Sequence, residues 1–230
     1  FMNLAEALRR TNTQPIAGEP YRVFLACGFT PLHLSTFLMA SALERVQDRP
    51  IRIDVGLYGD LVGNLERAGR GAFEAVVVVI EWSDLDVRLG CRSPRGWRSE
   101  DMPEIMLHVS EELDRLTAKI LELAGKVQVV VSLPTLPIPP VFRTVTAAGD
   151  AAEFTLRTKV LANASLWAVE PLVRVLSSQK IDEASSLSQR LDASSELRFG
   201  FPYTCGHAAA MGNLLAEAIC PKPAKKGLIT

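Results

Sequence analysis

The chain has 230 residues, of which 48% are hydrophobic and 22% charged, and its formal net charge at pH 7 is -1. This is the composition of a globular protein, and the near-neutral charge argues against nucleic acid or an anionic membrane as a partner. No apolar run approaches the ~20 residues of a membrane span, and no signal sequence is recognisable, so the expected location is the cytoplasm. The four cysteines show no zinc-ligand spacing, so no metal site is expected.

Apolar runs and helical patterns alternate along the chain. A short helix is predicted at 2–10, followed by a polar linker. The predicted strands are 21–26, 51–58, 74–80, 127–133 and 172–176. The further predicted helices are 34–46, 103–124, 152–169, 182–191 and 207–219. Two stretches are predicted to be loops, an Asp-, Arg- and Gly-rich one at 81–101 and a proline-rich one at 133–141.

Strands that alternate with helices predict a parallel sheet with helices on both faces. We therefore expect an α/β protein, a three-layer α/β/α sandwich whose mostly parallel five-stranded sheet has the flavodoxin-like order 2-1-3-4-5. In such sheets ligands bind at the carboxyl ends of strands, where the direction of winding reverses. For this order the crevice lies between the loops at 27–33 and 81–86.

Thr30 lies in the first of these loops, directly after the first predicted strand. Its hydroxyl could point out of the sheet and act as the nucleophile of an acyl transfer. It could also cap the helix that follows, and caps are far more common than nucleophiles, so the cap is the preferred interpretation.

His207 precedes the last predicted helix, from which an imidazole could reach the crevice as a general base. The alternative is a partly buried histidine bonded to a backbone carbonyl. His33 and His108 are weaker candidates, because His33 begins a helix and His108 lies inside a long helix of surface type.

The second crevice loop begins with an acid and a large aromatic residue, Glu81 and Trp82. Directly after an apolar strand, this pair suggests a binding surface at the rim of the crevice. Ser83 and Asp84 follow and could present polar groups to a ligand, although Ser and Asp are also common in capped turns.

The end of the sequence, PKPAKKGLIT at 221–230, reads as a linker followed by the first residues of another strand. This pattern predicts that a further domain follows, with a frayed tail or an edge strand of the same domain as the alternatives. The expected organisation is a helix and linker at 1–20, one α/β domain at 21–220, and the start of a further domain at 221–230.

Several stretches together resemble one protein family. GFTPLHLSTFL, GLYGDLVGNLE, VVVVIEWSDLDVRLG, LPTLPIPP and FGFPYTCGHA with KKGLIT are similar, in the same order, to the N-terminal region of FkbH-like proteins. These are phosphatase-like proteins of the haloacid dehalogenase (HAD) superfamily, subclass IIIC. In that family the counterpart of KKGLIT leads into the Asp-x-Asp motif of the HAD domain. The resemblance therefore implies magnesium only for that following domain, and no cofactor in this one.

The N-terminal region of this family is in turn similar to SGNH hydrolases, which implies the same three-layer fold. Their Gly-Asp-Ser block falls on Gly28-Phe29-Thr30, so a threonine stands where the nucleophilic serine would be. Their Gly-x-Asn-Asp block falls near residues 81–84, with Ser83 in place of the oxyanion-binding asparagine. The glycine of the second block matches Gly59 or Gly63.

The last SGNH block, Asp-x-x-His with a glycine five residues on, matches at His207 and Gly212, but Thr204 replaces the aspartate. Loss of the carboxylate that orients a catalytic histidine costs triad enzymes orders of magnitude in rate. The resemblance therefore implies an SGNH-like domain whose hydrolytic site is degenerate.

Three functions follow from these observations. The preferred one is an FkbH-like N-terminal domain that binds an acyl carrier protein or its acyl or glyceryl unit in polyketide-type biosynthesis. The residues expected to bind the substrate are Gly28, Phe29, Gly59, Glu81 and Trp82. The second is an active SGNH-type esterase or acyltransferase, whose candidate catalytic residues are Thr30, His207, Ser83 and Asp84. The third is a structural or dimerisation module for the C-terminal HAD domain.

Overall fold

A computed structural model describes residues 2–13, 18–46, 49–93, 96–138 and 147–220, and the side chains in these ranges except at 147–150. Parts of the predicted linker and proline-rich loop, and the whole tail at 221–230, lie outside the described residues. No helix within the described ranges is long and apolar enough to cross a membrane.

One sheet of five parallel strands forms the centre of the protein. The strands are β1 Tyr21–Cys27, β2 Ile51–Val55, β3 Ala75–Val79, β4 Gln128–Ser132 and β5 Val173–Val175. Their order is β2-β1-β3-β4-β5 and every pair is parallel, which confirms the predicted topology. Cys27 is paired with Val79, so β1 and β3 end side by side.

Helices cover both faces of the sheet. They are α1 Leu4–Asn12, α2 Leu32–Leu43, α3 Leu61–Arg70, α4 Trp82–Leu85, α5 Met102–Ala124, α6 Ala147–Trp167, α7 Ser178–Ala184, α8 Ala193–Phe199 and α9 Cys205–Ile219. Val77 and Val79 of β3 pack with α1, α2 and α9, and Val76 and Val78 pack with α3, α5 and α6. The side chains of a strand alternate between the two faces, so a continuous apolar run such as β3 is buried on both. The three-layer sandwich is confirmed.

Helix α3 is absent from the predicted elements, because glycines at 63 and 69 weaken its helical pattern. Asp60 nevertheless caps it by accepting a hydrogen bond from Gly63 N at 3.0 Å. The helix buries Leu61 and Leu65 against the sheet.

Two other regions differ from the prediction. The predicted loop at 81–101 contains α4 and two short 3-10 turns, at Val87–Leu89 and Ser99–Asp101. The predicted helix at 182–191 is wrong in its bounds, because α7 ends at Ala184 and is followed by α8, which was not predicted. These segments are only three to seven residues long, which is too short to leave a clear periodicity in the sequence.

Gly212 of α9 permits the close contact of α9 with α2. A Cβ atom at this position would lie 2.7 Å from Phe37 Cβ and 2.8 Å from the backbone nitrogen of Leu38. Because part of this contact is with backbone atoms, a side-chain rotation cannot relieve the overlap, and the two helices would have to move apart. The glycine shared with the last SGNH block thus has a packing role here.

We expect Gly212→Ala to lower the free energy of unfolding by about 1–3 kcal/mol, the usual cost of overpacking a core. The matched control is Gly69→Ala in α3, where the new methyl group would lie 3.6 Å from Leu123 Cδ2, an ordinary contact. The control should be neutral or stabilise by up to about 1 kcal/mol. Urea denaturation measures both, and equal effects at the two positions would contradict the packing role.

Candidate functional site

A cavity of about 460 Å³ lies beyond the ends of β1 and β3, where the topology places the ligand crevice. Five of the predicted site residues line it, namely Gly28, Phe29, Gly59, Ser83 and Asp84. We call this cavity the crevice. The remaining predicted residues, Thr30, His207, Glu81 and Trp82, are not among its lining residues.

Gly28 lets the Asp84 side chain come close to the end of β1. A Cβ atom at position 28 would lie 1.8 Å from Asp84 Oδ1, so no other residue fits without a shift of the carboxylate. The carbonyl of Gly28 accepts a 2.7 Å hydrogen bond from Gly59 N, and Gly59 has a φ of 71°, which favours glycine. The glycines thus form one wall of the crevice by close backbone approach.

Asn64, which sequence reasoning missed, holds the loop after β2 in place. It is fully buried in α3, and its Nδ2 donates hydrogen bonds to Cys27 O at 3.0 Å and Leu57 O at 2.8 Å. Its Oδ1 accepts a 2.7 Å hydrogen bond from Leu57 N. The signal available in the sequence was an asparagine close to the apolar residues Val62 and Leu65, where its amide would need hydrogen-bond partners if buried.

Asp84 is one of four carboxylates that line the crevice. Its Oδ2 accepts a 2.8 Å hydrogen bond from Glu81 N at the start of α4. Burial raises the pKa of Asp84 to about 7, and the nearby carboxylates of Glu81, Glu112 and Glu196 add to the increase, while the Glu81 N–H opposes it. Among the described residues no cation forms an ion pair with Asp84. Ser83, next to it, is exposed.

Thr30 is not a helix cap, which corrects the preferred interpretation of this residue. The N-cap position of α2 is Pro31, and no side chain caps this helix. Thr30 N donates a 2.8 Å hydrogen bond to Gly200 O. Its hydroxyl has no hydrogen-bond partner within the part of the chain that the structure describes.

His207 is buried, and both of its ring nitrogens are engaged away from Thr30. Nε2 lies 2.9 Å from Thr135 Oγ1 and Nδ1 lies 3.0 Å from Ser185 Oγ. The ring of Tyr203 packs edge-on against the imidazole at 4.7 Å between centroids. The structure therefore does not join the predicted nucleophile and base.

The surroundings of His207 disfavour its charged form. Burial lowers the pKa of the imidazole to about 3, and the nearby Arg190 guanidinium contributes to the decrease. Thr204, at the position of the SGNH aspartate, caps α9 by accepting a 3.2 Å hydrogen bond from His207 N. Its hydroxyl donates to Gln189 O at 2.6 Å, so it does not orient the imidazole.

Glu81 lies in the interior, not on a binding surface. Its carboxylate accepts 2.6 Å hydrogen bonds from the hydroxyls of Thr135 and Tyr203. It also accepts from the backbone N–H groups of Thr135, at 3.1 Å, and Leu136, at 3.2 Å. Burial raises the pKa of Glu81, and these hydrogen bonds oppose the increase. We call Glu81, Thr135, Tyr203, His207 and Ser185 the buried polar network.

The sequence interpretation of Trp82 as an aromatic at the crevice rim is also corrected. Its side chain is buried, and its Nε1 donates a 2.9 Å hydrogen bond to Leu136 O. The Arg157 guanidinium lies 5.5 Å from the centre of its ring. Trp82 therefore anchors α4 to the loop after β4.

Another part of the crevice lining comes from residues that sequence reasoning missed. Arg92 Nε lies 3.1 Å from Glu196 Oε1 of α8, and the Arg92 guanidinium lies 5.5 Å from the centre of the Tyr58 ring. All three line the crevice. They come from segments far apart in the sequence, and no motif marks them. Within the described ranges, no group of three or more His, Cys, Asp or Glu side chains could hold a metal ion.

No family model and no curated protein matches the sequence. Among solved structures, the fold is similar to the N-terminal part of the protein BF1531 from Bacteroides fragilis, which contains a phosphatase domain complexed with Mg, at a TM-score of 0.66 and 12% identity. The match covers 93% of this chain and 55% of that one, so this chain spans about half of its length. A salicylyl-acyltransferase of a tetracycline biosynthetic pathway, SsfX3, matches at a TM-score of only 0.39 and 12% identity, over 89% of this chain and 54% of that one. The likeness to BF1531 shows that the two chains share a fold.

We expect the His207 ring to remain neutral between pH 8 and pH 5, because burial holds its pKa near 3. Since the unfolded chain takes up that proton near pH 6.5, the contribution of His207 to the free energy of unfolding should fall as the pH decreases below that value, whereas the raised pKa values of Asp84 and Glu81 act in the opposite direction. The ¹⁵N chemical shifts of the ring nitrogens measure the protonation state. A titration midpoint near 6.5 would contradict the buried polar network as described.

Proposed function

We propose that this domain binds an acyl unit in the crevice without hydrolysing it, as an FkbH-like N-terminal domain with a degenerate hydrolase site. The observation that carries the proposal is the engagement of both His207 nitrogens by Thr135 and Ser185. A general base must reach the proton that it removes, directly or through one water. The His207 imidazole is buried, both of its nitrogens are occupied, and it resists protonation. It is therefore not placed to remove a proton from the Thr30 hydroxyl.

The crevice keeps the properties of a binding site although the triad is not assembled. Its volume, about 460 Å³, falls within the ~300–1,000 Å³ of small-molecule sites. Ser83, Asp84, Arg92 and Arg115 supply hydrogen-bonding groups of both kinds, and Phe29 supplies apolar surface. This mixture suits a small acyl group that carries hydroxyls, such as the glyceryl unit that the family resemblance implies.

The acyl unit would reach the domain on an acyl carrier protein, as the resemblance to FkbH-like proteins implies. The similar structure of BF1531 contains a phosphatase domain with Mg, and the present chain spans about half of it. By this likeness we propose that a HAD-type domain follows in the full-length protein and acts there as the partner of this one. Magnesium would bind in that domain.

An acyl carrier protein that bears a glyceryl (2,3-dihydroxypropionyl) phosphopantetheine should bind the domain, as measured by isothermal titration calorimetry. Ser83→Trp should weaken the binding at least about tenfold, because the exposed Ser83 lines the crevice and an indole there would fill it. The matched control is Ser165→Trp on the exposed surface of α6, which should bind like the wild type. The proposal fails if the wild type shows no binding at about 1 mM carrier, or if both variants bind equally.

The alternative function, an esterase or acyltransferase that uses Thr30 and His207, makes the opposite prediction for turnover. We expect hydrolysis of p-nitrophenyl acetate to change less than about twofold in Thr30→Ala, because Thr30 lacks a base within hydrogen-bond distance among the described residues. Initial rates at equal protein concentration check this. A decrease of about 100-fold or more would establish Thr30 as a nucleophile and overturn the non-hydrolytic proposal.

A further inference from the structure

The two oxygens of the Asp84 carboxylate have different environments. Oδ2 is held by the N–H of Glu81 at 2.8 Å, which fixes the side chain at the start of α4. Oδ1 points toward the end of β1 beside Gly28 and has no hydrogen-bond donor among the described residues. Asp84 is only partly buried and lines the crevice, so this free oxygen is available to a ligand.

The other charged side chains of the crevice are already paired. Arg92 pairs with Glu196 at 3.1 Å and Arg115 with Glu112 at 2.7 Å. Asp60 pairs at 3.0 Å with Arg67, which is not among the lining residues.

The lining as a whole is acidic. It contains four carboxylates, at 60, 84, 112 and 196, and two arginines, at 92 and 115. A ligand that carries a carboxylate or phosphate would meet this excess of negative charge and no unpaired lining arginine.

A hydroxyl group is the complement of such a site. It donates a hydrogen bond to a carboxylate oxygen, which is stronger than a hydrogen bond between neutral groups, and it adds no charge. An ammonium group is less suited, because the raised pKa leaves Asp84 partly protonated near pH 7 and every other lining carboxylate is paired with an arginine. The titratable groups that raise the pKa of Asp84 are Glu81, Glu112 and Glu196, and the Cys27 thiol also lies nearby.

We propose that Asp84 is the specificity-determining residue of the crevice, where Oδ1 accepts a hydrogen bond from a hydroxyl of the bound acyl group and the carboxylate excludes acyl groups that carry a negative charge. This inference rests on the proposed function and adds to it the selectivity of the site. It assigns to Asp84 a role in recognition, one that depends on neither Thr30 nor His207.

The test compares four thioesters of N-acetylcysteamine, with 2,3-dihydroxypropionyl, propionyl, malonyl and β-alanyl groups, by calorimetry on the wild-type chain. The dihydroxypropionyl thioester should bind about tenfold more tightly than the propionyl one, the effect of a hydrogen bond to a charged group. The malonyl thioester should bind most weakly. Affinity for the dihydroxypropionyl thioester should fall from pH 8 to pH 6, since protonation of Asp84 removes the negative charge that strengthens this hydrogen bond.

Asp84→Asn is the decisive variant, because the amide oxygen can keep the hydrogen bond from Glu81 N while the NH₂ group takes the place of Oδ1. Removal of the charge should weaken binding of the dihydroxypropionyl thioester by only about threefold, because its hydroxyl can still accept a hydrogen bond from this NH₂ group, and the malonyl thioester should gain at least about threefold. The pH dependence should disappear. The control, Asp114→Asn on the exposed face of α5, should match the wild type, and thermal unfolding confirms that both variants are folded.

The outcomes separate this inference from the proposed function. Equal binding of the propionyl and dihydroxypropionyl thioesters overturns the role of Asp84 and leaves acyl binding in place. Tighter binding of the β-alanyl thioester also overturns it, since the site would then be one for cations. Binding of the loaded carrier without binding of any thioester overturns it as well, whereas failure of both the carrier and the thioesters overturns the proposed function together with it.

Discussion

One buried carboxylate, that of Glu81, determines the arrangement of the carboxyl edge of the sheet. A carboxylate in the interior needs hydrogen-bond donors, and here they come from two hydroxyls and two backbone N–H groups. The donors belong to the loop after β4 and to the segment before α9. The hydrogen bonds that the Glu81 carboxylate accepts after the end of β3 therefore fix the position of two segments that are distant in sequence.

The buried polar network separates the two parts of the site that the SGNH comparison would join. His207 is bonded to Thr135, which is bonded to Glu81, so the histidine is bound to the interior behind α4. The crevice is lined by Gly28, Ser83 and Asp84, and His207 is not among its lining residues. The crevice at the carboxyl edge of the sheet is thus present, while His207, the predicted base, belongs to the core.

Much of the fold, and the location of the crevice, could be predicted from the sequence. The run Val76–Val79 is apolar on both faces, which requires helices on both sides, and the strand order then places the crevice after β1 and β3. The burial of Glu81 and Trp82 could not be predicted, because their partners in the loop after β4 are more than fifty residues away. The same holds for Glu196, whose helix α8 is too short to leave a periodic pattern. Periodicity reports which face of an element is buried, and it does not report which loop lies against another.

The cap of α9 does more than begin a helix. Threonine and aspartate are both favourable N-cap residues, but only the Thr204 hydroxyl can also donate a hydrogen bond to Gln189 O. Thr204 therefore ties the start of α9 to the turn at Leu187–Gln189. Position 207 is constrained as well, because its imidazole bridges two hydroxyls in the interior. Both positions thus have partners within the fold, and neither side chain needs a reaction to account for it.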